Sequence, residues 1–192
     1  MYMLLDYEDV IRIPPTMLGE NPDKIIKELT YQKLEGKVKS FDRSEVQDPQ
    51  ERKFIIIAIL EVKRVGEGRI IPGDGGVYQK VEYRAIVYHP EMQEVVEGSV
   101  VDITNFGAFI NFGVLDGLLH ISQVMDDRFD IDLEGKRLIG KESKKELRVK
   151  DKVRVRIVSL SLNDENLSAS RIGLTMRQSG LGKLEDFKDE GN

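Results

Sequence analysis

Phe106 and Phe109 stand on either side of Gly107, and His120, one of only two histidines in the chain, closes the apolar stretch that follows, GAFINFGVLDGLLHIS (Gly107–Ser122). Aromatic rings left standing beside a glycine offer a nucleobase a flat plate with no side chain in the way, and a stacked base gains about 1–3 kcal/mol. His120 adds a ring that can stack or meet a phosphate. Alternation along a strand sends Phe109 and Ile110 to opposite faces, so one of the two belongs to a core. Two readings of Phe109, plate or core, therefore stand. Charge is concentrated nearby: Lys136 to Arg156 carries ten Lys/Arg against three Asp/Glu, and Asp126 to Glu134 carries five acids and the single Arg128. The net charge of −5 argues against generic nucleic-acid binding, but a phosphate track depends on local potential. The block reads either as such a track or as a solvated face laced with ion pairs. Lys152 and Arg154 are the cations of this block that we single out as phosphate contacts.

Other chemistries are excluded or weakly supported. The chain has no cysteine, which removes disulfides, thiolate zinc sites and cysteine nucleophiles together. With two histidines and no nucleophile motif, no base, nucleophile and orienting group can be assembled, so no catalytic residue is assigned. Asp126, Asp127 and Asp130 are an acidic cluster that could in principle hold a hard cation such as Mg²⁺; a solvated acidic turn is much the better account, and neither metal nor cofactor is expected. VGEGRIIPGDGG (Val65–Gly76) is the glycine-densest stretch, yet it lacks both GxGxxG and GxxxxGK[ST], so it is not a phosphate cradle. It reads as a long hairpin loop. Ile70 and Ile71 beside Pro72 are unusual choices for a purely solvated turn.

The elements that must position these residues fall into two units. Tyr2–Ile13 reads as a strand stopped by Pro14-Pro15. Asn21-Pro22-Asp23 opens a helix over about 22–35, with Ile25, Ile26 and Leu29 on one face. Ser40–Lys53 reads as an exposed loop, Phe54–Leu60 as a doubly buried strand, and Val77–His89 as an alternating strand. Residues 1–90 thus form a small α+β unit ending at Pro90. Val95–Ile103, Ala108–Phe112, Gly117–Ile121, Lys152–Leu162 and Ile172–Met176 are five short strands, with one more expected between Lys136 and Lys145. Such strands with glycine-mediated bends make residues 91–182 a five-stranded OB-fold β-barrel, whose middle strands form the ligand face. Residues 183–192 are left as a charged, frayed tail. No apolar run approaches the ~20 residues of a membrane span, and MYMLLDYEDV has acids where a secretory signal carries bases, so we expect a cytoplasmic protein without membrane contact.

Two resemblances sharpen this reading. GSVVDITNFGAFINFGVLDGLLHIS, continued by KDKVRVRIVSLSL and RIGLTM, resembles the ribosomal-protein-S-one type of RNA-binding barrel. The resemblance implies RNA contacts at Phe106, Phe109, His120 and Arg171. The acid that many relatives carry at the end of the long strand aligns with Ser161 here, leaving Arg171 without that partner. Across nearly the whole chain, RIPP (Arg12–Pro15), GEGRIIPGDGGVYQKVEYRAIVYHP (Gly66–Pro90), DGLLHISQVMDD and IGLTMRQ are similar to the E-prime family of archaeal DNA-directed RNA polymerase subunits, counterparts of the seventh-largest subunit of eukaryotic polymerase II. That resemblance implies a truncated ribonucleoprotein-like N-terminal domain before the barrel. It implies a heterodimer with a small helical protein, the other half of the polymerase stalk. Contact of the barrel with emerging single-stranded RNA and help in promoter opening are implied as well. It casts Gly66, Gly68, Ile70, Ile71, Pro72, Gly73 and Gly75 as a loop docking on the polymerase core subunits. Two places depart from the family pattern: Ser40–Lys53 is longer than the usual connection, and GLGKLEDF lacks the Pro-Tyr and tryptophan of many relatives. A stand-alone RNA-binding protein of translation or RNA decay, sharing only the barrel, would leave RIPP and PGDGG unexplained.

Overall fold

The computed structural model describes residues 1–19, 21–41 and 52–189. They form two compact units, Met1–His89 with Asp164–Leu167, and Pro90–Asn163 with Ser168 onward.

In the first unit, β1 (Tyr2–Ile13), α1 (Pro22–Leu34), β2 (Val38–Ser40), β3 (Lys53–Ile70) and β4 (Val77–Tyr88) build a helix on an antiparallel sheet of order β1-β4-β3-β2. Pro14 and Pro15 lack an amide donor, so β1 stops there and a 3-10 turn, Pro15–Met17, follows. The Asn21 side chain accepts from the Asp23 amide and Pro22 takes the first helical position, which starts α1. Ile25, Ile26 and Leu34 on α1 bury against Ile11, Phe54, Ile56, Val81, Tyr83, Ala85 and Val87 of the sheet. Of the long connection expected over Ser40–Lys53, residues 42–51 lie outside the described residues.

The glycine-rich stretch differs from its expectation. β3 continues as strand to Ile70, and only Ile71–Gly76 forms the turn. Between the pairs Val65↔Lys80 and Arg69↔Tyr78, the strand sets Gly66, Glu67 and Gly68 against the single residue Gln79. Gly66 takes a left-handed φ of 65°, which a side chain would resist. Buried Gln79 closes the bulge, with Nε2 donating toward the Val65 (3.1 Å), Gly66 (3.3 Å) and Lys80 (2.9 Å) carbonyls. A long-range side chain thus turns loop composition into strand.

The second unit is a β-barrel carrying an inserted sheet. β5 (Val95–Thr104), β6 (Gly107–Asn111) and β7 (Asp116–His120) form a meander. β8 (Phe129–Asp132), β9 (Arg137–Gly140) and β10 (Glu146–Arg148) form a separate three-stranded sheet, where one strand was expected. β11 (Lys152–Ser161) pairs with β5, and β12 (Arg171–Thr175) joins β11 to β7, the latter in parallel, closing five strands into a barrel. Val100, Ile103, Ala108, Ile110, Leu119, Val153, Val155, Ile157, Ile172 and Leu174 fill its interior. The tail is not frayed over its described part. β13 (Gly182–Lys183) adds to β11, the Lys183 ammonium sits 2.9 Å from Asp151, and a short helix α2 (Asp186–Asp189) follows.

Candidate nucleic-acid interface

The barrel register assembles an aromatic face. Phe109 on β6 lies opposite Asp102 on β5 and Leu118 on β7, while Gly107 lies opposite His120. Ile110 is fully buried in the barrel, so it supplies the core and Phe109 is the outward, half-buried partner. Phe106 is 47% exposed, and the two rings meet edge to face with centroids 6.2 Å apart. A Cβ at Gly107 would collide with the Leu119 carbonyl oxygen; only glycine lets β6 and β7 close here. The Ile121 amide donates to the Phe106 carbonyl at 2.9 Å, which ties the β5–β6 turn to the end of β7. His120 is exposed there and caps the 3-10 turn Ile121–Gln123, accepting from the Ser122 amide.

The candidate cations are distributed differently from one another. Arg171 is exposed at the start of β12, opposite Ser161 and two residues ahead of Gly173, which pairs with Leu118. No ion pair engages it among the described residues. Lys152 is exposed and opposite Ser99, which opposes Asn111 on the aromatic strand β6. Arg154 is already engaged: Nε and Nη2 lie 3.0 and 2.8 Å from one Glu97 oxygen, and the guanidinium sits 5.3 Å from the Phe187 ring centroid. The register places it further along β11, opposite Glu97 rather than beside the phenylalanines. Lys136, which the sequence pattern does not single out, stands 3.0 Å from Asp102, the residue opposite Phe109. Nothing local in the sequence signals that pairing, because Lys136 comes from the inserted sheet.

Most of the surrounding charge is paired. Arg137 meets Asp132 at 2.8 Å, Lys141 meets Asp130 at 2.8 Å, Lys145 meets Asp186 at 3.3 Å, and Arg148 meets Glu146. Six of the block's ten cations are ion-paired, Lys136 and Arg154 included; Lys144, Lys150, Lys152 and Arg156 have no ion pair among the described residues, nor has Arg171 beyond the block. The acidic cluster disperses in the same way. Asp126 pairs with Arg177 at 2.7 Å and Asp130 with Lys141. Asp127 accepts from the Ser143 amide and hydroxyl and from the Glu142 amide, contacts that hold its carboxyl down to about 2. No group of three metal-binding side chains occurs among the described residues.

The other exposed feature is the β3–β4 tip. Ile70 is 71% and Ile71 48% exposed, and Gly66, Gly68, Pro72, Gly73 and Gly75 are all at the surface. Beneath them Asp74 gathers four donors: Arg12 Nε at 2.7 Å and Nη2, the Tyr78 hydroxyl at 2.6 Å and the Gly76 amide at 3.0 Å. The Arg12 hydrogen bonds, followed by those from Tyr78 and Gly76, hold the Asp74 carboxyl well below the usual carboxylate range. Arg12 opens the RIPP run, so the strand end and the tip are clamped together. Arg12, Asp74 and Tyr78 are not evident as a cluster from sequence; the Asp-Gly-Gly turn is the one available signal.

Known proteins share both units. Residues 89–172 match the S1 RNA binding domain, and residues 8–75 match the SHS2 domain found in N terminus of Rpb7p/Rpc25p/MJ0397. The chain is 40% identical over 186 residues to DNA-directed RNA polymerase subunit Rpo7 of Saccharolobus shibatae, covering 96% of each protein. Identity to the protein of the same name in Sulfolobus acidocaldarius is 37% over 190 residues, covering 99% of this chain and 97% of that one. DNA-directed RNA polymerase III subunit RPC8 of Bos taurus is 25% identical over 119 residues, covering 62% and 53%.

Proposed function

The chain belongs to the archaeal Rpo7 family of DNA-directed RNA polymerase subunits, and on that premise we propose that it is a non-catalytic stalk component whose two units divide two tasks. The first unit docks on the core enzyme through the tip formed by Gly66, Gly68, Ile70, Ile71, Pro72, Gly73 and Gly75. The second carries emerging single-stranded RNA across Phe106, Phe109 and His120, with Arg171 and Lys152 supplying phosphate contacts. The observation that carries the docking role is the pair of exposed isoleucines on a tip clamped by Arg12 and Asp74. Apolar side chains held rigidly in solvent gain most from a partner that covers them, and a pre-organised tip loses little entropy on binding. Pairing with the small helical stalk protein, help in promoter opening and a cytoplasmic location complete the reading. They are supported by the full-length similarity to Rpo7, and no helix among the described residues is long and apolar enough to cross a membrane.

Native mass spectrometry of the chain purified from its host tests this. We expect a polymerase-sized complex that also contains a small helical stalk protein; a lone monomer carrying only RNA would contradict it.

A further inference from the structure

The two histidines of the chain are held in opposite senses. His89 sets Nδ1 2.7 Å from the Lys53 carbonyl oxygen, and because a carbonyl only accepts, that nitrogen carries the proton. At His120 the neighbour of Nδ1 is a donor: the Ser122 amide donates to it at 3.2 Å, with the Ser122 hydroxyl 2.8 Å from the same nitrogen. An amide N–H cannot accept, so His120 Nδ1 must offer its lone pair and the neutral ring carries its proton on Nε2. Nε2 lies on the ring edge away from this clamp and has no partner among the described residues. The ring itself is exposed, next to Gly107, and the same short turn binds the Phe106 carbonyl through Ile121.

We propose that Ser122 is a positioning residue for RNA: its amide fixes the tautomer of His120 and its hydroxyl holds the ring's orientation, so that the ring presents an Nε2–H donor to an acceptor oxygen of RNA stacked at Phe106 and Phe109. This rests on the reading of the aromatic face as the RNA path. A ring free to turn or to exchange tautomers would offer that oxygen a lone pair part of the time, and holding the ring in place also removes an ordering cost from binding.

The test pairs imidazole ¹⁵N NMR, which reads the tautomer of each ring, with binding of an oligouridylate. The wild-type spectrum should show opposite tautomers, Nδ1–H for His89 and Nε2–H for His120. Ser122→Ala removes the hydroxyl but keeps the amide donor to Nδ1, so His120 should stay Nε2–H while its loosened ring weakens oligouridylate binding by about threefold, the scale of one neutral hydrogen bond. Ser122→Thr, which keeps the hydroxyl, should restore the binding. In a His120→Ala background Ser122→Ala should cost nothing further, whereas a merely structural serine would cost the same in either background. An Nδ1–H His120 in the wild type, or equal losses in both backgrounds, overturns the proposal. If His120→Ala alone binds like wild type, the RNA role of His120 falls together with the positioning. If His120→Ala weakens binding and Ser122→Ala does not, the positioning alone is wrong.

Discussion

At the scale of single residues, stacking and charge should fail differently on the barrel. Replacing Phe106 by Ala removes a plate, so RNA affinity should fall about 5- to 150-fold, the range of one stacked base, with little change in its salt dependence. Phe109 is half-buried, so its replacement should also lower the melting temperature. Arg171→Gln should flatten the slope of log K against log salt by roughly 0.7, as one lost phosphate contact on a single strand does. Arg154→Gln should flatten it less, because Arg154 is already neutralised by Glu97 and covered by Phe187. Filter binding across a salt series, with a melt of each variant, separates these effects. The contrast between the two arginines also shows what the sequence could reveal. Alternation alone could place Phe109 outward once Ile110 filled the core, because that relation is local. The partners of Arg154 lie 57 residues earlier on β5 and beyond β13, where only the closed barrel brings them together.

At the scale of elements, the tip is a β-hairpin in which one carboxylate, Asp74, accepts from Arg12, Gly76 and Tyr78. Asp74 titrates well below its unfolded value of about 3.9, so its clamp contributes stability above that pH and loses it as pH falls toward the folded value. The melting-temperature difference between wild type and Asp74→Asn should therefore be full at neutral pH and shrink below about pH 4. A difference that stays constant through acid pH would show that the carboxylate charge contributes nothing to the clamp. The tip was only partly legible in the sequence. Glycine density marks a bend, but strand continued to Ile70 because Gln79 reaches back over the bulge, a contact that no local pattern encodes. The inserted sheet of β8, β9 and β10 was harder still. Its strands are three or four residues long and dense in charge, so they give little of the alternation by which a strand is recognised.

At the scale of the whole molecule, an α+β unit and a barrel follow one another in a single chain, with a division near Pro90. The hydrophobic runs and the proline breaks make that architecture readable, because each unit's core is built from its own strands. On the proposed function, docking and RNA binding belong to different units, so substitutions in one should leave the other's task intact. The central claim is tested most directly by measuring assembly with the core polymerase and RNA binding by the isolated chain in two variants. Ile70→Asp with Ile71→Asp places two charges on the exposed tip; Phe106→Ala with Phe109→Ala strips the plate. The account predicts that the tip variant loses assembly while binding single-stranded RNA like wild type, and that the plate variant assembles normally while binding RNA weakly. A tip variant that joins the core polymerase with wild-type affinity, or a folded plate variant with undiminished RNA binding, would contradict it.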